Sequence, residues 1–152
     1  PRPTRQPLEL AHLLSKNDGA ERKLREDHGW RVQHARDVAA TPETYQAYLQ
    51  RSRGEFSCAK PSCMKLQNGW VSDRTLCYMA SGKPAVVQDT GPSAILPNGL
   101  GMFRFSSMEQ AVDALHAVNS DYARHCRAGG ELTEAYFDAK TIARRILDAT
   151  LT

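Results

Sequence analysis

The sequence predicts an α/β fold, a Rossmann-like parallel sheet with helices on both faces, and three observations carry that reading. Short apolar runs with strand character, the clearest being Pro84-Ala85-Val86-Val87-Gln88, alternate with helical stretches of about ten to fifteen residues, the pattern of βαβ units. Helix-start signals, Thr41-Pro42-Glu43-Thr44 and Ser72-Asp73, stand at the heads of two such stretches, where a hydroxyl can cap free N–H groups and proline fits the first turn. The 152 residues suit one domain, 1–152, long enough to bury a core without staples.

In chain order, residues 8–27 combine Leu8, Leu10, Ala11, Leu13 and Leu14 with Ala20 and Leu24 among many charges, broken at Asn17-Asp18-Gly19, which predicts two short helices. Gly29 ends the second, and Trp30, Val32 and His34 then alternate with Arg31 and Gln33 at the period of a half-buried strand, with Trp30 packed in the core. A helix follows from Thr41, carrying Tyr45, Tyr48 and Leu49 at helical spacing. Gly54 to Ala59 reads as a short buried strand stopped by Pro61, and residues 60–71 as loop. Ser72-Asp73 opens a helix with Leu76, Cys77, Met79 and Ala80 inside it and Gly82 at its end, where a left-handed conformation is needed. After the Pro84 strand come two turn clusters, Asp89-Thr90-Gly91-Pro92 and Pro97-Asn98-Gly99, and a strand at Met102 to Phe105. Ser106 and Glu109 stand at capping-box spacing before a helix whose apolar face holds Met108, Ala111, Val112, Leu115 and Val118. Residues 121–152 form a helical segment in two pieces, weakest at Gly129-Gly130, with His125 at the surface or half-buried.

Composition narrows the function. Twenty Lys and Arg against 17 Asp and Glu leave a net charge of +3, too small to imply a polyanionic partner. The basic groups Arg22, Lys23, Arg25, Arg31 and Arg144-Arg145 alternate with Glu21, Glu26, Asp27 and Asp148 and lack interleaved aromatics, so nucleic-acid binding is not expected. No window approaches the roughly 18 apolar residues of a membrane span, and no leader pattern opens the chain. Cys58, Cys63, Cys77 and Cys126 read as reduced thiols in a cytoplasmic protein, and none of the five histidines lies near the Cys58/Cys63 pair, so no metal site is expected. The first residue is Pro1 rather than Met, which suggests a piece of a longer polypeptide. Gly-x-Ser-x-Gly, Walker and Gly-x-Gly-x-x-Gly motifs are absent, leaving hydrolase, NTPase and dehydrogenase readings without carriers.

Ligands of parallel sheets bind beyond the carboxyl ends of the strands, which directs attention to the loops at 36–41, 60–72 and 89–93. The most informative stretch is Gly69-Trp70-Val71-Ser72-Asp73-Arg74, a loop running into a helix whose free first-turn N–H groups suit a phosphate. Arg74 adds a bidentate donor, Asp73 orients it or accepts from a ribose hydroxyl, and Trp70 offers a face for a base or sugar. The same residues also fit an ordinary Ser72 cap with an Asp73 to Arg74 surface pair.

The string Glu55-Phe56-Ser57-Cys58-Ala59-Lys60, then Gly69 to Arg74, then Ala80-Ser81-Gly82-Lys83-Pro84-Ala85-Val86-Val87-Gln88-Asp89-Thr90-Gly91 resembles the C-terminal half of a GT-B glycosyltransferase of the group 1-like kind. It is similar to the group with a Gly-Trp-Phe-Ser-Asp-Arg segment ahead of an Ala-Ser-Gly-Arg-Pro-Val-Val run, and with the tail the likeness covers most of residues 28–147. The resemblance implies a domain that holds a nucleoside diphosphate sugar, base unspecified, with no further cofactor. Ser72 and Arg74 would approach the diphosphate or sugar, Asp89, Thr90 and Gly91 would line the same edge, and Lys60 would add a phosphate contact. The acceptor site and catalytic base of that fold lie on a facing N-terminal domain, for which 152 residues leave no room, so no catalytic residue is expected here and the isolated chain would not complete transfer. Many retaining members carry a ribose-binding Glu where this sequence has Cys77, a poor acceptor, and the opening strand of the half is expected to be missing. The rival reading is a non-enzymatic interaction module that keeps the fold without the donor, self-associating through the sheet edge left exposed by that missing strand.

Overall fold

The computed structural model describes residues 3–15, 18–93 and 96–151. The chain is mixed α/β and forms two compact units, Pro1–Ser52 and Arg53–Thr152. All strand pairing between named strands is parallel, as expected, but the strands fall into two sheets instead of one, orders β1-β2 and β3-β4-β5.

In the first unit, β1 (Leu8–His12) and β2 (Trp30–His34) pair with Leu8 beside Trp30, and α1 (Gly19–Asp27) joins them. The expectation of a helix at the start of 8–27 is therefore overturned. Leu8 is buried, Leu10 and His12 are half-buried, and Glu9 and Ala11 are exposed, a period of two that the run of leucines concealed. Trp30 is thus preceded by a strand, β1, which pairs with it in parallel. The second piece is helical, but α1 buries none of its residues.

His34 ends β2 and caps α2 (Ala35–Ala39): its Nδ1 accepts from the Arg36 N–H at 3.2 Å, which leaves Nε2–H to donate to the Leu14 carbonyl at 3.1 Å. Residues expected to be loop are thus partly helix. α3 (Pro42–Arg51) begins as expected, Thr41 accepting from the Thr44 N–H and Thr44 answering on the Thr41 N–H.

The second unit is layered. β4 (Ala85–Gln88) lies between β3 (Glu55–Ser57) and β5 (Met102–Phe105). Val86 turns to one face and packs with Phe105 and with Ala111, Ala114, Leu115 and Val118 of α6 (Met108–Ser120). Ala85 and Val87 turn to the other, against Met79 of α5 (Asp73–Ala80) and Leu132 of α7 (Tyr122–Phe137). Helices thus cover both faces of this sheet.

Four details depart from expectation. Pro61 starts a helix, α4 (Pro61–Leu66), rather than stopping a strand into loop, because proline lacks only an N–H that the first turn does not use. The cap of α6 is Ser107, one residue later than expected, and Met108 is 62% exposed instead of joining the apolar face. Gly129 and Gly130 lie inside α7, whose break with α8 (Ala139–Leu151) falls at Asp138. The close approach there constrains Gly101 instead, since a Cβ on Gly101 would meet the Gly129 nitrogen at 2.4 Å, whereas a Cβ on Gly129 would find only ordinary contacts, the nearest at 3.5 Å. His125 is buried, not superficial: its Nδ1 accepts from the Gly101 N–H at 3.3 Å and its ring tilts against Phe103.

Arg53 packs over the Tyr122 ring, whose hydroxyl donates to the Arg53 carbonyl at 2.6 Å; burial and the neighbouring Cys126 push that phenol up to about 12. No helix among the described residues is long and apolar enough to cross a membrane.

Candidate functional site

The carboxyl end of β4 and the amino end of α5 carry the residues singled out above. α5 starts where expected because Ser72 has extended backbone and its Oγ accepts from the Arg74 N–H at 3.3 Å. The Asp73 Oδ1 accepts from the Arg74 backbone N–H at 3.0 Å and from the Ser72 hydroxyl at 3.1 Å. An acidic group in the first turn also suits the helix dipole.

The loop after β4 is bound to the loop before α5. The Thr90 hydroxyl donates to the Trp70 carbonyl at 2.8 Å, and the Gly69 N–H donates to the Thr90 carbonyl at 3.1 Å. Thr90 is 4% exposed, so its hydroxyl clamps the two loops. Asp89 accepts from the Gly91 N–H at 3.0 Å, closing a side-chain turn, while its own N–H reaches the Phe105 carbonyl at 2.8 Å. Gly91 has φ 117°, and a Cβ there would meet the Gln67 carbonyl oxygen at 2.4 Å, so only glycine lets this loop close over the end of α4. Trp70 is 55% exposed, with its N–H held by the Asn68 side chain at 3.2 Å, and presents its ring outward.

These contacts bring Trp70, Ser72, Asp73, Arg74, Asp89, Thr90 and Gly91 into one assembly of two loops and a helix start. Lys60 shares none of them; it is exposed at the amino end of α4 and caps it without a side-chain bond. Cys77 is exposed one turn beyond Arg74. Among the described residues no cluster of three or more His, Cys, Asp or Glu is arranged to hold a metal ion.

Sequence reasoning missed Glu55. It opens β3, its side chain is only 3% exposed, and its Oε1 accepts from Arg74 Nε at 2.7 Å. Its Oε2 is buried without a hydrogen-bond partner. Arg74 itself is 48% exposed. The guanidinium thus spans from a buried carboxylate to the surface beside the first turn of α5. A signal was available: an acid at the head of an otherwise apolar strand is rarely buried unless paired.

Scans of family models and searches of curated proteins and of solved structures return no match to this chain.

Proposed function

We propose that this chain is a nucleotide-sugar donor-binding domain of the GT-B glycosyltransferase type, working opposite an acceptor domain that it does not contain. The observation that carries the reading is the joining of the 69–74 segment to the 89–91 loop through Thr90, a segment that holds the exposed Trp70, the start of α5 and the half-exposed Arg74. A helix start binds phosphate through its N–H groups and dipole, Arg74 adds charge-assisted donors, and Trp70 supplies a stacking face. The chain's own work would be to hold the diphosphate and to stabilise the charge that develops on it as the sugar departs. Free thiols at all four cysteines fit a reducing, cytoplasmic setting.

A second reading is favoured by a different feature. Ile146, Leu147 and Leu151 of α8 are 59%, 58% and 83% exposed, and that helix buries no residue, as suits a module whose business is contact with another protein.

A thermal-shift panel with UDP, GDP, TDP and ADP separates the two. A ligand at about 100 times its Kd adds about 2.7 kcal/mol, and each kcal/mol moves the midpoint of a domain of this size by roughly 2–4 °C. The donor-binding reading expects a shift with one base, reduced in Trp70→Ala; absence of any shift at millimolar ligand would sink it. Arg74→Ala is the poorer probe, because it strips a buried carboxylate of its partner and destabilises the fold for reasons unrelated to the ligand.

A further inference from the structure

We infer that Glu55 is a positioning residue of the donor site, holding the Arg74 guanidinium where a diphosphate would meet it; this rests on the donor-binding reading above. Three observations lead there. The Glu55 side chain is 3% exposed and accepts from Arg74 Nε at 2.7 Å, so the guanidinium is tethered at its inner edge while the Arg74 side chain stays 48% exposed. The contact joins two points nineteen residues apart in the chain, the head of β3 and the first turn of α5, and so fixes that side chain relative to the N–H groups that Ser72 and Asp73 leave at the helix start.

The third observation is the orphaned oxygen. A buried ion pair is weak support for stability, and an apolar pair of similar volume commonly does as well or better. Glu55 adds to that cost, because Oε2 is buried with no partner. A carboxylate kept at such cost beneath a half-exposed arginine is explained by what the arginine does. Holding one edge of the guanidinium reduces the side-chain freedom lost when a ligand is gripped, which is where a pre-organised donor gains affinity.

The test measures binding of UDP, GDP, TDP and ADP, and of the matching nucleosides, to the unaltered chain, to Glu55→Met and to Glu55→Gln. Glu55→Met should weaken the nucleoside diphosphate by about tenfold while leaving the nucleoside unchanged, the scale of coupling between residues in contact. Glu55→Gln keeps one acceptor for Nε and should weaken it by less, with the same selectivity for the diphosphate. The contrast matters because a variant that merely damages the fold loses nucleoside and diphosphate alike. If Glu55→Met does not fold, Glu55→Gln decides by the same contrast. An unchanged or tighter diphosphate Kd, or equal losses for both ligands, would overturn the role of Glu55 and leave the donor site standing. No binding by the unaltered chain would overturn the donor-binding reading and this inference with it.

Discussion

Both compact units contain parallel strands with helices against them, yet burial is distributed differently in each. β4 reads Ala85-Val86-Val87, three successive buried side chains, because α6 covers one face of its sheet and α5 and α7 the other. β1 and β2 alternate, with Leu8 and Val32 buried and their neighbours half-buried or exposed. Continuous apolar runs belong to sheets covered on both sides, and alternation to sheets covered on one. The helix that joins β1 to β2 has no fully buried residue and carries instead three ion pairs, two of them exposed, Arg22 with Glu26 and Lys23 with Asp27, and a half-buried one, Arg25 with Glu21. Exposed pairs of this kind contribute little. The second unit is therefore held by packing, the first by backbone pairing and a few apolar contacts.

The sharpest way to break that comparison is in the cores. Met79, fully buried among Ala85, Val87, Met102 and Leu132, should cost about 2–5 kcal/mol as Met79→Ala. Val32→Ala should cost about 1–2 kcal/mol from lost burial. Denaturant unfolding measures both, and equal losses would erase the contrast. Gly101→Ala comes next: its φ of 77° and the 2.4 Å approach to Gly129 predict at least about 1–3 kcal/mol, read in the same assay. Hydrogen exchange sharpens the comparison without mutation, since amides of α1 should exchange well before those of α6; matched protection would show the first unit to be as firmly held as the second.

The smallest effect concerns α8. Bonds from the Thr141 side chain and backbone hold the Asp138 carboxyl below its ordinary value of 3.8. A lowered value means that the contribution of Asp138 to the helix start is present above the ordinary range and lost as pH falls through the lowered one. Helical signal in circular dichroism should therefore decline slightly in acid, and Asp138→Asn should flatten that part of the curve; an unaltered profile would remove Asp138 from the account.

What the sequence revealed follows from how local each cause is. The Thr41 and Ser72 helix starts, the Ala85 to Gln88 strand and the Gly82 turn depend on neighbours within four residues, and all appear where expected. β1 was hidden because Leu8, Leu10, Leu13 and Leu14 satisfy a helical period as well as a strand's, and only the partner strand decides. Glu55 was hidden for a stronger reason. Its partner lies nineteen residues away, and nothing near it in the chain says that a carboxylate at a strand head will meet Arg74. The Thr90 clamp on Trp70 spans twenty residues and was equally invisible, although both residues had been placed in the same site by other arguments.

Cys77 has a practical side. It is exposed on α5, one turn beyond Arg74, while Cys63 is buried and Cys126 half-buried. Reagents that modify accessible thiols would reach Cys77 and the exposed Cys58 first. In a Cys58→Ser background the protein therefore carries a single ready attachment point for an environment-sensitive dye, next to the surface where a ligand is expected, so occupancy could be followed by fluorescence without adding any residue to the chain.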